Sequence, residues 1–128
     1  MAIDFGTSHL TIAIGGAVRA PLSSIKVPIE FFKPEDAPPS ALEFDPKKTL
    51  KLVILTAQQA IGSANITPTE ISGIGVTSQR QGIVLLNLEG SPIYGGPNRD
   101  MRASAEGVEI DANTLVDLWE LTGHGPGV

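Results

Sequence analysis

The stretch that opens at Asp45-Pro46 constrains this chain more than any other. An Asp side chain caps free helix amides, and proline at the first helical position has no amide to leave unsatisfied. Leu50, Val53, Ile54, Ala57, Ala60 and Ile61 then recur at spacings of three and four up to Gly62, which predicts an amphipathic helix. Its apolar face needs a second layer, and the flanking segments supply one because they read as strands. Ala2-Ile3-Asp4-Phe5 and Leu10-Thr11-Ile12-Ala13-Ile14 flank the break Gly6-Thr7-Ser8, which predicts a hairpin. A further strand is expected over 24–31, where Ile25, Val27 and Ile29 share one face and Pro28 confines the strand to a sheet edge. Residues 33–40, with Pro34, Pro38 and Pro39, read as a surface loop.

Beyond the helix, residues 65–70 read as a turn. Ile71 to Thr77 reads as a buried strand whose glycines permit close backbone approach, and Ile83 to Leu88 as another strand. Pro92-Ile93-Tyr94 begins a short extended piece. Asp111 is expected to cap a last helix carrying Leu115, Leu118, Trp119 and Leu121, stopped by Gly123, with Trp119 packed in the core or against a part of the protein outside this chain. Strands on both sides of a helix make this an α/β chain.

The length, 128 residues, fits one compact domain, and 41% hydrophobic against 18% charged residues exclude a chain too polar to collapse. No apolar run approaches the roughly 18 residues of a membrane-spanning helix, so no membrane partner is expected. The net charge of −5 disfavours nucleic-acid binding, which needs clustered cations; Lys47, Lys48 and Lys51 lie where the helix shows them to solvent. With no cysteine and no signal-like segment ahead of Asp4, disulfides and thiol chemistry are excluded and a reducing, cytoplasmic setting is the expectation. His9 and His124 stand apart, without carboxylate–histidine metal spacing, and read as surface residues.

Three segments carry possible chemistry. Asp4-Phe5-Gly6-Thr7-Ser8 ends a strand with a carboxylate, a glycine that admits an anion close to the backbone, and two hydroxyl donors, which suits a phosphate and a hydrated metal ion; ordinary turns use the same residues. Gln79-Arg80-Gln81 lies in a polar elbow between two apolar strands and offers forked donors and amide carbonyls for the vicinal hydroxyls of a sugar or polyol, or a merely solvated loop. In Pro97-Asn98-Arg99-Asp100-Met101-Arg102, Asp100 and Arg102 are placed to pair with each other, line a pocket or open a helix.

The order of these segments adds information. Hydrophobic-Asp-x-Gly-Thr, an amphipathic helix, Ile-x-Gly-Ile-x-x-x-Ser-Gln-x-x-Gly-x-Val-Leu-Leu-Asn-x-x-Gly-x-Pro-Ile over Ile71–Ile93, and then Asp100-Met101-Arg102-Ala103 and Leu121-Thr122-Gly123 together resemble the N-terminal region of the FGGY family of carbohydrate kinases. The resemblance implies a ribonuclease H-like half-domain of the actin-like ATPase fold, with a mixed β-sheet and flanking helices. Residues 1–128 would form the front of the family's N-terminal domain, with the second domain absent. It also implies ATP-dependent phosphorylation of a sugar or polyol hydroxyl, with ATP and Mg²⁺ as cofactors. Asp4, Gly6, Thr7 and Ser8 match the motif that faces the phosphate and the metal, Asp4 through water. Gln79, Arg80, Gln81, Asp100 and Arg102 match the substrate-contacting positions. Glycerol kinases carry Gln-Arg-Glu at the elbow and xylulose kinases Gln-Met-His, so the substrate stays open; Asn98 stands where the family pattern has Trp.

The family's general base falls beyond Val128, as do its second phosphate and adenosine motifs, so no catalytic residue is expected in this chain and the isolated fragment is expected to be inactive. Its partners are then the remainder of the kinase chain or, through self-association, another copy. The competing expectation is a noncatalytic ribonuclease H-like binding or assembly module.

Overall fold

The structure, a computed structural model, describes residues 1–16, 20–114 and 117–123. Alternating apolar residues build three consecutive antiparallel strands: β1 (Ala2–Phe5), β2 (His9–Ile14) and β3 (Ser23–Pro28). Pro28 closes β3 at the sheet edge, where its missing N–H costs no ladder bond. Helix α1 (Pro46–Ser63) starts as expected, with one carboxylate oxygen of Asp45 accepting from the N–H groups of Lys47 and Lys48 at 2.8 and 3.0 Å. A 3₁₀ turn (Pro68–Glu70) leads into β4 (Gly75–Ser78), which pairs with β1 in parallel. The sheet order is therefore β3-β2-β1-β4.

The pleat sorts this sheet into two faces. Leu10, Ile12 and Ile14 are fully buried beneath α1, where they meet Ala60, and Ile29 joins the same cluster. Burying an aliphatic side chain of this size contributes about 1.5–3 kcal/mol, so these residues dominate the stability of the layer. The Ser23 hydroxyl donates to the Ala60 carbonyl at 2.7 Å and ties β3 to the helix. On the opposite face Asp4 lies in register with Thr11 and Thr77, and Ala2 with Ala13 and Gly75, a surface of small and polar residues.

A second sheet is the hairpin β5 (Ile83–Leu86) and β6 (Pro92–Gly96), joined to the first layer by the Phe44 N–H bond to the Gly95 carbonyl at 2.9 Å. Gly95 and Gly96 are buried there, and the close approach requires glycine at 95, where a side chain would strike the Phe44 carbonyl at 2.6 Å. Residues 33–40 form the expected loop, closed by a bridge between Phe32 and Glu43.

Two expectations are corrected. The strand expected to be buried over Ile71–Thr77 begins only at Gly75 and is an exposed edge, with Val76 71% exposed, because α1 packs over β2 and β3 and no described residue covers β4. Asp111 does not open the last helix. It lies inside α2 (Ser104–Asn113), and a separate α3 (Leu118–Thr122) is capped by Asp117, whose carboxylate accepts from the N–H groups of Trp119 and Glu120. Trp119 is 65% exposed and belongs to no core among the described residues. Gly123 does stop α3, in the left-handed conformation at φ 71°. Leu115, His124 and the final residues lie outside the described residues. No described helix is long and apolar enough to cross a membrane.

Candidate functional site

Because β1 and β4 are adjacent and parallel, the turn that follows one and the elbow that follows the other leave the sheet at the same end, the carboxyl end of both strands. Crevices at the carboxyl ends of parallel strands are where α/β sheets bind ligands. Gly6 starts the first turn, its N–H donating to the His9 carbonyl at 3.0 Å, and a Cβ on Gly6 would meet that carbonyl at 3.2 Å. Asp4, one residue before the strand ends, is exposed on the small, polar face. The Gln79 N–H donates to the Phe5 carbonyl at 2.7 Å, which fixes the elbow beside the turn.

The elbow turns sharply. Gln81 adopts φ 62°, the left-handed region that a side chain disfavours. Gly82 leaves the space into which Gln79 folds, since a Cβ there would lie 3.1 Å from Gln79 Cγ. Arg80 and Gln81 are exposed and make no side-chain hydrogen bond or ion pair among the described residues, so their donors remain free for a ligand.

The third segment closes the arrangement. The Asn98 N–H donates to Gln79 Oε1 at 3.0 Å, and Asn98 Nδ2 donates to Thr7 Oγ1 at 3.2 Å. Turn, elbow and the loop after β6 thus meet at Asn98, a residue that sequence reasoning marked only as a departure from the Trp pattern. Gln79 Nε2 and Asn98 Oδ1 are buried without partners.

Asp100 and Arg102 pair with each other. Arg102 Nε lies 2.9 Å from Asp100 Oδ2, Arg102 Nη2 lies 2.9 Å from Glu43 Oε1, and the Tyr94 hydroxyl donates to Asp100 Oδ2 at 2.7 Å. The guanidinium carbon sits 5.6 Å from the centre of the Tyr94 ring. Burial, with the Asp100 side chain 5% exposed, pushes that carboxyl up, but the Arg102 and Tyr94 hydrogen bonds outweigh it and hold it below its ordinary value. Burial, then the bond to Asp100, push the Tyr94 phenol up to about 12. The bonds to Asp100 and Glu43 raise the Arg102 guanidinium further. Tyr94 and Glu43 were not expected as members; Tyr94 lay in a plain strand pattern and Glu43 before a helix cap, and neither position carries a local signal. The Met101 N–H also donates to the Ser40 carbonyl at 3.0 Å, so the proline-rich loop is anchored to this cluster.

For a metal ion the donor set is thin. No group of three His, Cys, Asp or Glu side chains stands together among the described residues. A lone carboxylate, Asp4, beside a hydroxyl-bearing turn suits Mg²⁺, which keeps most of its water and takes one or two carboxylates plus phosphate oxygens.

Residues 1–110 match the N-terminal domain of the FGGY family of carbohydrate kinases. The chain is 34% identical over 110 residues to the autoinducer-2 kinase of Escherichia coli K12, covering 86% of this chain and 21% of that protein. To the autoinducer-2 kinase of Photorhabdus laumondii it is 32% identical over 132 residues, covering 97% of this chain and 24% of the relative. The chain therefore spans about a fifth to a quarter of the length of these relatives. Its fold matches the crystal structure of xylulose kinase from Rhodospirillum rubrum with a TM-score of 0.74 at 20% identity, over 88% of this chain and 23% of that one. It also matches Plasmodium falciparum glycerol kinase with ADP, with a TM-score of 0.72 at 21% identity, over 88% and 22%. The expected ribonuclease H-like, actin-like ATPase half-domain is thus the fold observed.

Proposed function

The chain belongs to the FGGY family of carbohydrate kinases, and from that premise we propose that residues 1–128 supply one wall of a cleft in which ATP phosphorylates a hydroxyl of a sugar or polyol. The observation that carries this reading is the convergence of Thr7, Gln79 and Asn98, which brings the phosphate turn and the sugar elbow together at the carboxyl ends of β1 and β4. In this reading the Gly6 backbone admits the phosphate chain, Thr7 and Ser8 donate to its oxygens, and Asp4 holds the water shell of Mg²⁺. Bound MgATP supplies the phosphoryl group and part of the charge neutralisation. Arg80 and Gln81, free on the elbow, grip substrate hydroxyls, with Gln79 behind them. Asp100 is held ionised by Arg102 and Tyr94, and the pair forms a rigid acceptor and donor edge at the substrate end of the wall.

Phosphoryl transfer depends on positioning and charge stabilisation from both sides of the cleft. We assign the base that receives the substrate's proton, and the adenosine site, to a segment of the kinase outside these residues. The exposed apolar side chains Val76, Ile83, Leu86 and Trp119 support this, since they are surface that another segment or a second copy would cover. The substrate class follows the family; the similarity to autoinducer-2 kinases makes their substrate the first to try.

The test is calorimetry of the chain with a panel of pentoses, hexoses and polyols and the substrate of the autoinducer-2 kinases, in the wild type and in Arg80→Ala. Heat from at least one ligand, lost in the variant, is expected, together with no sugar-dependent ATP turnover by the 128-residue chain alone. No heat from any ligand overturns the substrate assignment, and turnover by the chain alone overturns the assignment of the base to another segment.

A further inference from the structure

We propose that Asn98 is a positioning residue that sets the direction of the hydrogen bond at the phosphate turn, keeping the Thr7 hydroxyl a donor to the phosphate while holding Gln79 in the elbow. This rests on the kinase reading of the turn. The loop that carries Asn98 is well fixed: Gly96 and Pro97 before it are buried, and the Asp100 N–H donates to the Pro97 carbonyl at 3.0 Å. The bond from the Asn98 N–H to Gln79 has only one possible sense, because a backbone N–H can only donate, so the Gln79 oxygen faces Asn98.

The second bond follows from the carboxamide. Asn98 Nδ2 donates to Thr7 Oγ1 and occupies one of its lone pairs. A hydroxyl has a single proton, and with Asn98 as donor that proton points elsewhere. No other acceptor engages it among the described residues, so Thr7 presents its proton to the mouth of the turn, where an anion needs one. A carboxylate at position 98 would invert the bond and draw the proton inward. The indole of the family's usual Trp has a donor but no acceptor, whereas the carboxamide has both, and its Oδ1 stays buried and unpartnered, as does Gln79 Nε2. Those two atoms are polar capacity that the chain itself leaves incomplete at the junction of turn and elbow.

The experiment uses side-chain amide signals of the isotope-labelled chain, which detect the weak binding that one wall of a cleft gives, with inorganic phosphate as the probe. Without ligand, Thr7→Val is expected to shift the Asn98 side-chain amide signals while the fold, followed by circular dichroism, stays intact. With phosphate, Asn98→Ala is expected to weaken apparent binding about threefold, and the nearly isosteric Asn98→Asp by about tenfold or more, the loss of a hydrogen bond to an ion plus an inverted Thr7. Asn98 signals that ignore Thr7→Val, or Asn98→Ala binding phosphate as the wild type does, overturn the proposal alone. A wild type that shows the amide coupling but does not respond to phosphate overturns the kinase reading of the turn, and the positioning role with it.

Discussion

Tyr94 is the chain's single tyrosine, so its phenol is an optical probe of the cluster around Asp100. Burial, the hydrogen bond to Asp100 and that carboxylate's charge move its pKa from 10.0 to about 12, against the opposing pull of Arg102. At about 1.36 kcal/mol per unit, this is on the order of 3 kcal/mol of preference for the neutral phenol in the folded chain. A group whose folded pKa is raised adds stability that is fully present below its unfolded pKa and is lost as pH rises through the folded one. The alkaline limb of stability should therefore fall between about pH 10 and 12. The assay is phenolate absorbance against pH, with circular dichroism recorded at every point. In the wild type the ionisation is expected near 12, or at the unfolding step if unfolding comes first. Asp100→Asn keeps the shape but removes the charge, so burial alone should leave the phenol between 10 and 12. Ionisation near 10 while the dichroism is still native refutes the network, and an unchanged value in Asp100→Asn refutes the part given to the carboxylate.

Further outcomes follow from the same geometry, each read as a denaturant midpoint. Gln81→Gly relieves the left-handed backbone at φ 62° and should stabilise the chain by about 1 kcal/mol; a loss of stability would show that the Gln81 side chain has contacts of its own. Gly96→Ala sets a methyl 2.8 Å from Tyr94 Cε1, and should cost about 1–3 kcal/mol and lower the Tyr94 pKa as the ring is displaced. Asp45→Ala removes the cap of α1 and should cost about 1 kcal/mol. The Asp100 carboxyl is held below its ordinary value, so its contribution is present above that value and is lost as pH falls through the depressed one; Asp100→Asn should flatten the acid limb of a stability-against-pH curve.

What could be read from residues alone divides by range. Helix α1 was legible to within a residue because proline and apolar period lie within its own 18 residues and the cap immediately before them. The hairpin β1–β2 and the edge placement of β3 were legible for the same reason, since alternation and Pro28 act locally. The last helix was not: Asp111 and Asp117 are both caps by residue type, six positions apart, and Asp111 is taken up inside α2, whose start at Ser104 has no side-chain cap to announce it. The candidate site was legible as residue types, but Asn98 and Thr7 are 91 positions apart and Arg102 and Glu43 are 59 apart, and no local pattern encodes such meetings.

The misreading of β4 has a different cause, and it bears on the function. Apolar character marks surface that ends up away from water, and within a complete sheet it predicts burial by the chain's own layers. Val76 and Ile74 are apolar and exposed, and so are Ile83, Leu85 and Leu86 of β5, while α1 is already committed to β2 and β3. β4 runs straight into the elbow at Gln79 and β5 straight out of it, so whatever covers these strands is also placed to reach the Thr7–Asn98–Gln79 junction. That is the position our reading gives to the rest of the kinase, and it ties covering the strand to completing the cleft. Adding the covering segment should protect the β4 amides from hydrogen exchange and tighten phosphate binding together; protection without a gain in phosphate affinity would separate the two.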